Sequence, residues 1–139
     1  MKQAILAATF ALAAFSAAAD DRRVVVTEIF KGARTNTDQP IVLPQSNVEV
    51  AVSTYDIAPG ASLPVHEHPF ARYAYVLAGT LEVTNTEVGS SKIYKPGDFI
   101  VEAIGQWHKG ATIGDVPVKL LVIDQMESGH SNVVLKPAQ

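Results

Sequence analysis

Glycine and proline break this chain at intervals of roughly 8 to 12 residues, and the stretches between them are β-branched or aromatic. Pro59-Gly60, Gly79-Thr80, the run from Val88 to Ser91, and Pro96-Gly97-Asp98 are turn signals. No interval between Asp20 and Gln139 repeats apolar residues at i, i+3 and i+4, so helices are not expected. The class that remains is all-β, a sandwich or small closed barrel. Closure would remove exposed strand edges and leave an interior able to hold one small ligand.

Strands are expected over Val24–Phe30, Asn47–Ile57, Ser62–His68, Arg72–Ala78, Leu81–Thr84, Lys92–Tyr94, Phe99–Glu102 and Val118–Asp124. Proline-bounded Gln39–Pro44 and the segment Asn132–Leu135 read as edge pieces. In the second of these strands Val48, Val50, Val52 and Thr54 share one face. The near-continuous apolar run from Val118 suggests a strand covered on both sides.

Residues 1–19 differ from the rest: one lysine at Lys2, an Ala/Leu/Phe-rich run, and the small residues Ala17-Ala18-Ala19 before Asp20. This is the layout of a secretory signal peptide. Cleavage is expected before Asp20, within a residue or two, leaving residues 20–139 as one domain in the periplasm or outside the cell. The apolar run is shorter than the roughly 20 residues that span a bilayer, so no membrane association is expected after processing. There is no cysteine, hence no disulfide, and the core alone must hold the fold. A net charge of -3, about -4 once Lys2 is removed, gives no basis for nucleic-acid binding.

His66 and His68, two apart on an extended segment, project to the same face, and His108 follows a second glycine-marked strand pattern. Neutral imidazole is the commonest protein ligand of transition metals, so the three make a candidate metal grip. Glu67 between them should point the other way, and His130, in a polar stretch, reads as a surface residue.

With these spacings the chain resembles the cupins, small double-stranded β-helix (jelly-roll) barrels that commonly bind a metal inside. Gly60, His66, His68 and Gly79 match the first cupin motif; Gly97, Gly105 and His108 match the second. The first motif's glutamate is replaced by Arg72, or by Tyr73 on the longer spacing, and Ala103 and Thr112 stand for the second motif's proline and asparagine. The resemblance implies a divalent transition metal on His66, His68 and His108, with Fe(II) favoured for an enzyme and Zn, Mn, Ni or Cu as alternatives. Three-histidine cupin dioxygenases are the nearest functional analogy; a non-catalytic binding or sensing module is the other reading. No catalytic acid or base stands out.

Without the glutamate, three neutral imidazoles leave the ion's charge uncompensated. Arg72 would then either turn aside, to the barrel mouth or to a carboxylate such as Glu102, or wait for an acidic ligand bridging it to the metal. Arg72 and Tyr73 are therefore candidate contacts to a small-molecule ligand, and Gln106 and Trp107 candidates for orienting His108. Since cupins are frequently dimers, the resemblance also admits a homodimer, paired through an edge strand near the amino terminus. Intact-mass measurement of protein from its own host should give a mature chain beginning at Asp20, within two residues; a chain retaining Met1 would refute the signal peptide.

Overall fold

The computed structural model describes residues 24–138, and the expected signal peptide over residues 1–19 lies outside them. Nine strands form: β1 (Val48–Ile57), β2 (His66–Glu67), β3 (Arg72–Ala78), β4 (Thr80–Asn85), β5 (Ser90–Tyr94), β6 (Phe99–Val101), β7 (His108–Ile113), β8 (Val118–Glu127) and β9 (Val134–Leu135). There is no helix among the described residues. The strands build two antiparallel sheets, one ordered β1-β8-β3-β6 and the other β5-β4-β7-β2-β9. They pack face to face as a jelly roll.

Strict alternation produces the core. Ala74 and Val76 of β3, Leu81 and Val83 of β4, Ile100 of β6, and Val118, Leu120 and Val122 of β8 point inward and are buried. Each of the buried Val, Leu and Ile side chains contributes about 1.5–3 kcal/mol. Outward neighbours in the same strands, such as Glu82 and Lys119, stay in contact with water.

Several expected elements differ from those observed. Val24–Phe30 is not a strand: Val24, Val25 and Val26 are 89%, 82% and 87% exposed, and Phe30 meets the ring of Phe99 at 5.2 Å. Strand propensity describes fitness for a packed pleated surface, and no strand edge is paired with this segment. Gln39–Pro44 contributes one bridge, Arg34 to Pro40. Ser62–His68 contracts to His66–Glu67 plus a bridge from Ser62 to Ala111, because Pro64 lacks the N–H a continuous ladder needs. β7 was not anticipated as a strand; Gly110 and the polar Lys109 and Thr112 mask its alternation. Val48, Val50 and Val52 do share a face, but it is the outer one, and all three are more than half exposed. β8 is fully covered on its inner side only, since Lys119 is exposed and Leu121 and Ile123 are half-buried.

The turn at Gly79 carries a specific backbone demand. Its φ is +73°, and a Cβ there would stand 2.5 Å from the Pro117 carbonyl oxygen and 2.8 Å from Val118 Cα. Gly105 has a similar φ of +61° with nothing within 4 Å. Gly79→Ala should therefore cost about 2–4 kcal/mol and Gly105→Ala about 1–2 kcal/mol. Urea denaturation midpoints will test this; equal losses would show that the backbone contact at Gly79 is relieved without cost.

Candidate metal centre

Two transverse rows of side chains face each other across the barrel. In the five-stranded sheet His66 pairs with His108 on one side and Leu135 on the other, and His108 pairs with Asn85. In the four-stranded sheet Arg72 pairs with Asp124 of β8. The β3–β6 register, Tyr73 opposite Val101 and Ala74 opposite Ile100, places Glu102 opposite Arg72, and the Glu102 N–H donates to the Arg72 carbonyl at 3.0 Å. Directly opposed residues in an antiparallel pair share a face. Asp124, Arg72 and Glu102 thus form one inward row, opposite the histidines.

Each imidazole is held by a backbone carbonyl: His66 Nδ1 donates to Pro64 O at 2.8 Å, His68 Nδ1 to Asn132 O at 2.7 Å, and His108 Nδ1 to Gln106 O at 2.8 Å. A carbonyl can only accept, so all three rings carry their proton on Nδ1 and, when neutral, present a bare Nε2. His68 Nε2 and His108 Nε2 lie 3.1 Å apart, and each lies 3.0 Å from Glu102 Oε2. The His66 ring sits close by, with centroids 4.9 and 4.6 Å from those of His68 and His108. The four ligand atoms fall within 4.8 Å of one another.

Three lone-pair atoms at such spacing repel unless a positive charge lies among them. Adjacent donors on one octahedral ion at about 2.1 Å stand about 3.0 Å apart, so the spacing fits a shared cation. Three imidazoles and one carboxylate suit the borderline transition metals rather than calcium or magnesium.

Electrostatics differ from one ligand to the next. Burial, opposed by the Pro64 hydrogen bond, pushes the His66 pKa down to about 4. For His108 burial disfavours the charged ring, but the hydrogen bond and charge of Glu102 prevail and raise its pKa. Burial would raise the Glu102 pKa as well; the bonds from His108 and His68 instead hold it well below the usual carboxylate range. Burial also works against the Arg72 charge, and Asp124 more than restores it.

Several expectations about this region are corrected. An anionic candidate ligand is present: Glu102, the residue just past β6, beside the position where the first motif would carry it. Arg72 turns to Asp124 instead of Glu102, its Nε donating to Oδ1 at 2.7 Å and its Nη2 to Oδ2 at 2.9 Å. Tyr73 faces away from the histidines, since it lies between the inward Arg72 and Ala74; its hydroxyl donates to Gln125 Oε1 at 2.9 Å and its ring stacks on Phe99. Gln106 meets His108 through its backbone carbonyl, while its side chain accepts from Asn85 Nδ2 at 3.0 Å. Trp107 lies under Lys136, whose Nζ is 5.8 Å from the ring centre.

Glu102 and Asp124 had a readable signal: each continues an inward series by twos, Ile100 to Glu102 and Leu120, Val122 to Asp124. Asn132 had none. From a loop it joins the two halves of the site, its carbonyl accepting from His68 while its Nδ2 donates to Asp124 Oδ1 at 2.6 Å. Its Oδ1 also accepts from the Phe70 N–H at 2.8 Å.

Beside the ligands lies an inner cavity of about 20 Å³, walled by Leu81, Val83, Leu120 and Val122 as well as His66, His108, Glu102 and Arg72. An outer chamber of about 190 Å³ shares Tyr55, Leu63, His66 and Arg72 with it and is completed by Pro64, Val133 and Leu135.

Comparison with known proteins agrees with this layout. The family model described as "Cupin domain" matches residues 53–124. Among solved structures, the polyketide cyclase RemF from Streptomyces resistomycificus is 22% identical with a TM-score of 0.55, over 65% of this chain and 62% of that one. The DMSP lyase DddQ from Ruegeria pomeroyi is 25% identical, TM-score 0.55, over 66% of this chain and 44% of that one. A cupin-like protein from Thermotoga maritima is 19% identical, TM-score 0.52, over 65% of each chain. The aligned region is thus less than two thirds of each of these three structures. No curated protein matches in sequence.

Glu102→Gln keeps the shape of the side chain and removes its charge, so divalent metal affinity should fall about 100-fold in competition with a chromophoric chelator. Because the His108 pKa is raised, the metal-free site retains a proton near pH 6 that a metal must displace. Apparent affinity should therefore rise with pH from 6 until that pKa is passed, with about one proton released per ion in calorimetry across buffers of different ionisation enthalpy. Affinity independent of pH would contradict the assignment.

Proposed function

The chain belongs to the cupin domain family, and on that premise we propose that it is an exported metalloprotein whose barrel binds a divalent transition metal and one small chelating or acidic molecule. The observation that carries this reading is the convergence of three Nδ1-protonated histidines and Glu102 on one buried point beside a chamber open to solvent. His66, His68, His108 and Glu102 would hold the ion. When bound, such an ion supplies Lewis acidity toward a chelating oxygen and, as Fe(II), electrons for dioxygen, which is the dioxygenase-type reading.

The protein's own residues bind and orient. The Arg72–Asp124 pair fixes a positive guanidinium at the floor of the outer chamber, and Leu81, Val83, Leu120 and Val122 exclude bulk water from the ligand side. Asn132 holds His68 and Asp124 in one hydrogen-bonded unit. Every titratable group lining the two cavities except Tyr55 is engaged in these contacts, which leaves little for general acid–base catalysis and favours chemistry done by the metal itself. The same observation favours the second reading, a non-catalytic binding or sensing module.

The structural neighbours supply an analogy only. They include a cyclase, a lyase and oxalate decarboxylases, so the barrel is compatible with several reactions.

Elemental analysis of protein isolated from its host should give about one transition-metal ion per chain. Protein loaded anaerobically with Fe(II) should then consume oxygen with at least one member of a panel of small diketones, flavonols and thiol acids, and His66→Ala should abolish both uptake and metal. A full complement of metal, ligand-dependent thermal stabilisation and no oxygen uptake would select the binding module instead.

A further inference from the structure

The outer chamber carries information about what the site accepts. Arg72 is only 4% exposed, and its Nε and Nη2 are taken by Asp124. Among the described residues no acceptor meets Nη1, and it is not one of the fully enclosed unpartnered atoms, so Nη1 keeps some accessible surface. Arg72 lines both cavities. The free edge of the guanidinium is therefore a donor pair beside the ligand cluster.

The charges of the surroundings limit what that edge receives. A divalent ion, Glu102, Arg72 and Asp124 together leave one uncompensated positive charge in a largely buried site. One negative charge on a ligand balances it; a second would be desolvated without a partner. The remaining walls, Leu63, Pro64, Val133 and Leu135, carry no charge and no side-chain hydrogen-bonding group. Leu135, on the edge strand β9 and paired with His66, is 59% exposed and lines the chamber. The inner cavity has room for a single water or ion. At about 190 Å³ the outer chamber is below the ~300–1,000 Å³ of pockets for drug-sized ligands, so the ligand body is short and lies outside the ligand cluster.

Resting on the metal-centre reading above, we propose that the site takes a short amphipathic monoanion. Its single acid group reaches the metal and the Nη1 edge of Arg72, and its apolar tail of a few carbons lies against Leu63, Pro64, Val133 and Leu135. Tyr55, shared by both cavities and with Arg72 Cζ 5.7 Å from its ring centre, sits at the junction of head and tail and sets how far the head enters.

The test uses the full mature protein loaded with Co(II), whose visible spectrum reports a new ligand without turnover. Straight-chain monocarboxylates from acetate to hexanoate should shift the spectrum saturably, with Kd tightening about fourfold per methylene until the chamber is full. Succinate, of similar length with a second charge, should bind at least tenfold more weakly than butanoate. Leu135→Ser, at an exposed position where the fold is not at stake, should flatten the chain-length series while cobalt content stays at one per chain. Full cobalt uptake with a response that ignores chain length, or that favours succinate, would overturn this assignment alone. Failure to take up cobalt would overturn the metal centre and this assignment with it.

Discussion

A guanidinium enclosed between carboxylates on neighbouring strands is the constraint around which this barrel is organised. Taking Arg72 out of water is expensive, and a single buried charge left unpaired costs about 3–5 kcal/mol. Asp124 meets it in a two-pronged bond, and the Asn132 amide in turn satisfies one Asp124 oxygen. Glu102, next across the sheet, completes a row of alternating sign that only this strand order can produce. The register of β8, β3 and β6 therefore serves electrostatics as well as backbone hydrogen bonding.

The histidine row follows a different logic. Its orientation comes from three backbone carbonyls, at Pro64, Gln106 and Asn132, rather than from carboxylates. Neutral acceptors fix the tautomer without adding charge, so the net charge at the centre is decided by Glu102 alone among the ligands. Two of the three carbonyls lie two residues before the histidine they hold, which makes those contacts local and independent of the rest of the fold. The Asn132 contact is the exception; it joins a loop after β8 to β2 and carries the acidic row's influence to His68.

Legibility in the sequence tracked the range of the interaction concerned. β3, β4 and β5 were readable because alternation and flanking glycines are local, and the spacing of His66, His68 and His108 picked out three rings that meet inside the barrel. The Val24–Phe30 segment was misread because propensity alone does not supply a partner strand, and β7 was missed because Gly110 and polar neighbours interrupt the apolar pattern. The largest error concerned charge. A motif read along one strand registers Arg72 as the loss of an acid, whereas the acid stands just past the end of the adjacent strand at the same level, a relation visible only once pairing is known. Asn132 lay beyond reach altogether, since a loop residue's hydrogen bonds depend on where the chain returns.

The displacement of the acid to the residue just past β6 changes what a strand pairing means here. β3 and β6 meet over only three paired positions, and the residue beyond the last of them is Glu102. The same short zipper that closes the edge of the sheet is thus the ruler that measures carboxylate against imidazole. A slip by a single residue would turn Glu102 outward and bring Val101 to the centre, so the barrel's closure and its capacity to hold an ion rise and fall as one mechanical event.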